Sequence, residues 1–203
     1  MEASARAVAS AARQEVILRA ALRLFVRKGY AATGIDDLRR ASGASVGSIY
    51  HHFGGKEGVA AELYVRSLRG YQDSVLELVR ARPDAREGIE GMVRNHLRWI
   101  ASHSEEARYL LSMGSAEVLL ASKRQVRAMN RTFFGEVFGW IDEQAAAGHI
   151  RRVPPHLYFP LVIGPSQELA REWLDGRMSE PLEDAADLLA EAAWNSIRKG
   201  GRR

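Results

Sequence analysis

Apolar residues recur at helical spacing along almost the whole chain, and this periodicity limits the fold more than any other feature. It is clearest in one early stripe, which consists of Val16, Ile17, Ala20, Ala21, Leu24 and Phe25. Offsets of three and four place such residues on one face of a helix. No run alternates polar and apolar residues for long enough to indicate a sheet, and no internal repeat appears. The sequence therefore predicts an all-α protein with about nine helices.

Composition excludes several classes of protein. The 203 residues are 46% hydrophobic, which rules out an intrinsically disordered chain, and they include no cysteine. Disulfides, thiolate metal sites and thiol nucleophiles are therefore excluded. The longest stretch without Asp, Glu, Lys or Arg runs from Val153 to Gln167 and is shorter than the ~20 apolar residues of a spanning helix. We expect a soluble, cytoplasmic protein with no membrane partner and no cofactor.

Positive charge is concentrated at the start of the chain. Residues 1–57 contain nine Lys and Arg against five Asp and Glu, whereas the remainder contains 20 of each. The net charge of +4 therefore resides in the first quarter. This distribution favours an anion-binding module joined to a larger neutral body, although a solvated basic surface would have the same composition.

Two short helices follow the first long one. Thr33 is predicted to cap the first of them, with Asp36 completing a capping box, and this helix ends near Gly43. Ser45 is predicted to cap the second, which runs from Val46 to His52 and stops at Gly54-Gly55. These dimensions suit a helix-turn-helix, whose second helix enters the DNA major groove, or an ordinary helical corner.

A family resemblance appears in the string from Thr33 to Gly58, TGIDDLRRASGASVGSIYHHFGGKEG. It resembles the DNA-binding segment of TetR/AcrR-type transcriptional regulators. The elements in common are Thr33, the turn glycine Gly43, Ile49-Tyr50, Phe53 and the pair Lys56-Glu57. The resemblance implies a three-helix head at residues 1–56 and a ligand-binding, dimerising body at residues 57–203.

The resemblance also assigns roles to individual residues. It implies that Thr33, Tyr50 and Lys56 contact phosphates. The residues that face the groove are then Val46, Gly47, Ser48, His51 and His52, preceded by the cap Ser45. Because these side chains are small or are imidazoles, we expect methyl contacts, histidine hydrogen bonds and shape readout rather than arginine–guanine pairs.

Two C-terminal helices correspond to the dimer-forming helices of the family. They span Leu157 to Leu174 and Leu182 to Ile197. Their candidate interface residues are Leu161, Val162, Leu169, Trp173, Leu174, Leu188, Leu189, Ala192, Ala193 and Trp194. The same residues could instead fill the core of one protomer, and the two roles are compatible.

A ligand pocket in the body is the second expectation from the family. Its candidate lining is aromatic or soft, with one polar anchor: Trp99, Tyr109, Met113, Phe133, Phe134, Phe138, Tyr158, Phe159 and Gln167. Pro160 and Pro165 are predicted to kink their helix and free carbonyl groups. The composition of this set favours an apolar or aromatic ligand.

Catalytic and metal-binding motifs are absent from the sequence. His96, His103, His149 and His156 are interpreted as solvated surface histidines, and no metal site is predicted. We therefore expect a homodimeric repressor, not an enzyme, that binds a palindromic duplex operator. A small effector would release it by shifting the Lys56–Ala81 helix. The alternatives are a ligand-independent regulator and a helical-bundle enzyme that retains the head.

Overall fold

The computed structural model describes residues 2–82, 84–112 and 116–200, and for residues 2–5 and 116–119 it describes the backbone only. The all-α prediction is confirmed. The α-helices are α1 (Glu2–Lys28), α2 (Ile35–Ser42), α3 (Val46–Phe53), α4 (Lys56–Arg80), α5 (Ala85–Ser102), α6 (Ser104–Ser112), α7 (Ala116–Ala146), α8 (Pro155–Tyr158), α9 (Gly164–Leu174) and α10 (Ala186–Ile197). A π-helical turn, Phe159–Ile163, joins α8 to α9, and a 3₁₀ turn, Leu182–Ala185, precedes α10.

Several helix ends lie where the sequence signals place them. Asp84 caps α5 by accepting a hydrogen bond from the backbone N–H of Glu87 at 2.9 Å. The amide of Gly29 donates to the carbonyl of Phe25 at 2.9 Å, which closes the last turn of α1. The predicted α1 stripe needs one correction, because Val16 is exposed, whereas Leu18 and Leu22 are buried.

The chain forms two compact units, and each is assembled from separate segments. The first unit comprises residues 1–68 and 105–127, and the second comprises 69–104 and 128–203. Helices α4 and α7 contribute to both. The predicted division after residue 56 separates functions rather than compact units and stays a prediction.

The core of the first unit forms where α1, α2, α3, α4 and α6 meet. Fully buried apolar side chains come from each of these helices, namely Ile17 and Ala21, Leu38, Ile49, Val59 and Ala60, and Tyr109. This burial holds the two short helices in place, since neither is long enough to be stable alone.

In the second unit, α10 packs against α5 and the π-helical turn. Arg94 of α5 links α5 to α10 at the surface by donating to Asp187 at 2.8 Å, and it also donates to Glu90 of its own helix at 3.0 Å. An isolated antiparallel bridge joins Ile150 to Arg198, the residue after α10.

The proline-containing helix is irregular, as the sequence predicts. Around Pro160 the backbone widens into the π-helical turn, in which the amide of Gly164 donates to the carbonyl of Phe159. Pro165 has no N–H to donate to the carbonyl of Leu161. The hydroxyl of Ser196 on α10 lies 3.3 Å from that carbonyl, and its single proton is shared with the carbonyl of Ala193 at 2.7 Å. Pro165 therefore leaves an acceptor on this helix that lies beside the Ser196 hydroxyl of α10.

Candidate nucleic-acid interface

Helix α3 is short and fixed at both ends. Ser45 caps it as predicted, because its hydroxyl accepts a hydrogen bond from the amide of Ser48 at 3.1 Å. At the other end Gly54 adopts a left-handed conformation (φ +74°), and its amide donates to the carbonyl of Tyr50. This conformation is unfavourable for a residue with a Cβ atom, so the glycine sets where α3 stops.

The side chains of α3 divide into an inner and an outer group. Ile49 is fully buried and Phe53 is half-buried against the core. Among the predicted DNA-contacting residues, Ser45, Gly47, Tyr50 and His51 are exposed, whereas Val46, Ser48 and His52 are half-buried. The exposed group presents two hydroxyls, an imidazole and a glycine, which has no side chain and so allows close approach to a groove.

The turn between α2 and α3 is held by local hydrogen bonds. Gly43 adopts a left-handed conformation (φ +68°), and its amide donates to the carbonyl of Arg39. The hydroxyl of Ser42 donates to the carbonyl of Leu38 and accepts from the amide of Ala44. Leu38 and Ala44 are buried beside these bonds, which hold the conformation of the turn.

The start of α2 differs from the prediction. Gly34, not Thr33, is the N-cap. The side chain that accepts from the N-cap amide belongs to Asp37 rather than Asp36. Asp37 accepts from the amide of Gly34 at 3.0 Å, from Arg40 at 2.8 Å and from Lys28 at 3.2 Å. The Gly34 amide, followed by Arg40 and Lys28, holds the pKa of the Asp37 carboxyl well below its usual range.

Thr33 lies inside the first unit and not on its surface. It is 1% exposed, and its hydroxyl donates to the carbonyl of Gly29 at 2.8 Å. The predicted phosphate contact through this side chain is not compatible with that position. Thr33 instead orders the connection that links α1 to α2.

Lys56, the first residue of α4, reaches back to the same connection. Its ammonium donates to the carbonyl of Tyr30 at 3.2 Å and lies 4.2 Å from the centre of the Tyr30 ring. An ammonium has three N–H donors, and this hydrogen bond uses one of them. The predicted phosphate contact of Lys56 stays a prediction.

Free cations remain on α1. Lys28, Arg39 and Arg40 form ion pairs with Asp36 and Asp37. Arg23 and Arg27 are exposed and form no ion pair with any described residue. These two residues preserve positive charge in the first unit, in agreement with the charge distribution along the sequence.

The predicted ligand-contacting residues do not form one group. Met113 lies outside the described residues. Tyr109 is a correction, because it is fully buried in the core of the first unit, where its hydroxyl donates to the carbonyl of Ala60 at 2.7 Å and its ring stacks on Phe25. A core residue with a satisfied hydroxyl has no surface left for a ligand.

The remaining aromatic candidates lie in the second unit. Phe133, Phe134, Phe138 and Tyr158 form a chain of ring contacts with centroids 5.1–6.2 Å apart. Phe134 and Phe159 are about half-exposed, whereas Tyr158 is buried. Trp99 is buried elsewhere in this unit, between the edge of Tyr71 and the stacked ring of His103.

Gln167 and His96 carry buried polar atoms. The side-chain nitrogen of Gln167, on α9, has no hydrogen-bond partner among the described residues. His96, interpreted above as solvated, is only 3% exposed, so that interpretation is wrong. Its Nδ1 lies 3.0 Å from the hydroxyl of Tyr71, and burial lowers the pKa of its imidazole to about 4.

Helices α9 and α10 each have a second apolar face. Val162, Leu174 and Ala193 of the predicted dimer set are buried within the protomer, which corrects their assignment to the interface. The other members remain partly or fully accessible: Leu161, Leu169, Trp173, Leu188, Leu189, Ala192 and Trp194. Leu188 is 72% exposed, a high value for leucine.

Neither a membrane span nor a metal cluster occurs in the part of the chain described. No helix there has a segment long and apolar enough to cross a bilayer. Likewise, no group of three or more His, Asp or Glu side chains there could hold a metal ion.

The geometry of α2 and α3 defines a helix-turn-helix protein: two short helices joined by a glycine turn, the second with an exposed polar face. The profile of the bacterial regulatory proteins of the tetR family matches residues 17–63. Residues 17–63 of this chain therefore match the segment by which the tetR family is recognised.

Individual relatives agree with this assignment. The chain is 40% identical over 83 residues to the HTH-type transcriptional regulator LmrA of Bacillus subtilis, a match that covers 40% of this chain and 44% of LmrA. It is 36% identical over 102 residues to the HTH-type transcriptional repressor KstR2 of Rhodococcus jostii, covering 48% of each chain. The chain thus spans about half the length of these curated relatives.

The fold is shared over a much longer range. The structure of the transcriptional regulator FadR from Bacillus subtilis in complex with stearoyl-CoA superposes with a TM-score of 0.75. The match covers 90% of this chain and 98% of FadR at 17% identity. At that identity the likeness concerns the fold, and it extends well beyond the helix-turn-helix.

Proposed function

We propose that this protein is a DNA-binding transcriptional regulator whose α3 reads the major groove. The observation that carries the proposal is the outer group of α3, where Gly47, Tyr50 and His51 are exposed on a helix capped at both ends. A rigid helix of 8 residues with small outward groups can approach base edges closely. The proposed phosphate contacts are Tyr50 and Lys56, and the proposed groove-facing residues include Val46, Ser48 and His52.

We propose further that the protein acts as a homodimer on a palindromic operator. Support comes from the accessible apolar face of α9 and α10, which includes Leu169, Trp173, Leu188 and Ala192. A two-fold axis through such a face would pair two copies of α3. Recognition helices that read successive turns of one side of the duplex must lie about 34–36 Å apart.

The proposed regulation is repression that a small organic effector relieves. KstR2 is named a repressor, and FadR is described in complex with stearoyl-CoA, a molecule with a long apolar chain. The aromatic chain of the second unit, from Phe133 to Tyr158, supports an apolar or aromatic effector here. Helix α4 has residues in both units and is the proposed moving element.

Selection from random duplexes at about 50 and 200 mM salt tests this proposal. We expect a palindrome to be enriched, with affinity that falls steeply as salt increases. Salt-dependent binding with no enriched sequence would contradict operator recognition. The absence of any binding would favour the alternative of an enzyme that retains the head.

Substitutions of Tyr50 test its proposed phosphate contact. The Tyr50→Phe and Tyr50→Ala variants should fold normally, because the side chain is 54% exposed. A phosphate contact through the hydroxyl predicts that both lose roughly tenfold in affinity for every sequence. Unchanged affinity in Tyr50→Phe would rule out that contact.

A further inference from the structure

Three buried side-chain nitrogens in the second unit have no hydrogen-bond partner among the described residues. They are His96 Nε2 on α5, Trp140 Nε1 on α7 and Gln167 Nε2 on α9. Proteins pair the large majority of their buried polar atoms, so each exception requires an explanation. The three atoms lie on three different helices of the second unit, and each is able to hydrogen-bond to a polar group from outside the chain.

His96 is the most completely defined of the three. The residue is 3% exposed, and its other ring nitrogen is already engaged by the hydroxyl of Tyr71 at 3.0 Å. The Tyr71 ring meets the imidazole nearly edge-on, at 79°, and also contacts Trp99. Tyr71 therefore holds the imidazole through Nδ1, whereas Nε2 has no hydrogen-bond partner among the described residues.

The surroundings of His96 favour a neutral ligand group. Burial alone lowers its pKa, with no contribution from a charged neighbour, so the imidazole is neutral near pH 7. A carboxylate or phosphate placed beside a neutral buried imidazole would lose its hydration without gaining a counter-charge. A carbonyl, hydroxyl or amide would gain a hydrogen bond at much lower desolvation cost.

In a neutral imidazole, the hydrogen-bonding role of one ring nitrogen fixes the role of the other. One nitrogen carries the proton and the other accepts. A ligand carbonyl that accepts from Nε2–H leaves Nδ1 free to accept the O–H of Tyr71. A ligand hydroxyl that donates to Nε2 requires the proton on Nδ1, which then donates to the Tyr71 oxygen. Tyr71 lies on α4, so the tautomer of His96 links the ligand to that helix.

We propose that the second unit binds a neutral, hydrogen-bonding organic molecule through His96 Nε2, and that the His96–Tyr71 bond transmits its donor or acceptor character to α4. This inference rests on the proposed ligand-responsive function and specifies the chemical class of the effector. Neighbouring hydrogen bonds join the same helices, because Asn95 of α5 donates to the hydroxyl of Ser74 of α4 at 2.9 Å.

Nitrogen-15 NMR of the histidine-labelled protein, without DNA, tests this proposal. The probes are acetophenone, which carries a carbonyl, toluene, which has no polar group, and benzoate, which is charged. We expect acetophenone to shift the His96 signals towards the Nε2–H tautomer and to bind roughly tenfold more tightly than either other compound. Equal binding of toluene, stronger binding of benzoate, or no change at His96 with any compound would overturn the proposal.

Two substitutions separate the functions of the ring nitrogens. In His96→Gln the amide lies near the position of Nε2, so the preference for acetophenone over toluene should persist. In His96→Asn it lies near Nδ1, so the bond to Tyr71 should persist and the preference should vanish. His149→Asn, an exposed histidine on a turn, is the control and should change nothing. A preference retained in His96→Asn would overturn the assignment to Nε2.

This experiment and the operator selection fail independently. The NMR titration reports binding to the second unit whether or not an operator exists. Enrichment of a palindrome, in turn, does not require acetophenone to bind. A chain that selects an operator but shows no tautomer shift would retain the proposed function and lose this inference.

Discussion

The ammonium of Lys56 lies 4.2 Å from the centre of the Tyr30 ring and donates to the Tyr30 carbonyl at 3.2 Å. Twenty-six residues separate the two along the chain. The contact joins the first residue of α4 to the connection between α1 and α2. It therefore connects α4, which follows the helix-turn-helix, to the segment that precedes α2.

Replacing Lys56 by Met should destabilise the protein by about 1–2 kcal/mol, because methionine retains the apolar stem but loses the cation–π contact and the hydrogen bond. Lys56→Arg keeps a cation with N–H donors near the ring and should cost less than Lys56→Met, about 0.5 kcal/mol. Urea unfolding followed by circular dichroism measures both. Equal losses in the two variants would show that the charge over Tyr30 contributes nothing.

Gly58 and Gly70 lie on the same helix and should respond oppositely to alanine. A Cβ atom at Gly58 would lie 1.7 Å from the carbonyl oxygen of Phe53, so Gly58→Ala must displace α3 from α4. We expect a loss of about 3 kcal/mol or more. Gly70→Ala meets no atom within 4 Å and should gain about 0.5–1 kcal/mol from the greater helix propensity of alanine. Thermal unfolding of the two variants checks the prediction, and a loss of similar size in both would contradict it.

Leu188 tests the proposed dimer. At 72% exposure it contributes little to the protomer core, so Leu188→Asp should change the protomer's own stability by less than about 0.5 kcal/mol. Burying an unpaired carboxylate at a dimer interface should weaken dimerisation by at least roughly tenfold. Analytical ultracentrifugation measures this effect, with Leu120→Asp, 66% exposed on α7, as the matched control. Equal effects of the two substitutions would remove Leu188 from the interface.

His96 should make the protein sensitive to mild acid. Burial lowers its pKa from 6.5 to about 4, so between these values the unfolded chain binds a proton that the folded chain does not. The free energy of unfolding should therefore fall as the pH decreases from about 6.5 to 4, by up to about 3 kcal/mol. Urea unfolding across this range should show the decrease in the native protein and a much smaller one in His96→Gln. An identical decrease in both would assign it to other groups.

Local sequence signals predicted the local structure well. The cap at Ser45, the glycine at the end of α3 and the cap at Asp84 all depend on side chains within a few residues of the backbone groups they satisfy. The disturbance at Pro160 is equally local, because the ring removes a donor wherever it is placed in a helix. Such features follow from the chain itself.

Predictions of which side chain is buried, and which partner it bonds to, were the ones that failed. Asp36 and Asp37 are adjacent acids at the start of α2, and only the positions of Lys28 and the Gly34 amide show that Asp37 is the acid that accepts from the N-cap amide. Thr33 and Tyr109 carry polar groups that the sequence cannot assign to core or surface. Their hydroxyls donate to carbonyl groups in the first unit, which allows both residues to be buried.

The sequence by itself determined the all-α class, the helix-turn-helix and its basic character, because helical periodicity, caps and charge depend on residues that are close together in the chain. Tertiary structure alone decided which candidates share an interior. It placed Tyr109 beside Phe25 in the first unit and His96 beside Tyr71 in the second. The physical reason is that burial depends on packing between helices far apart in the chain, and burial decides whether a histidine titrates in solvent or stays a neutral hydrogen-bonding group.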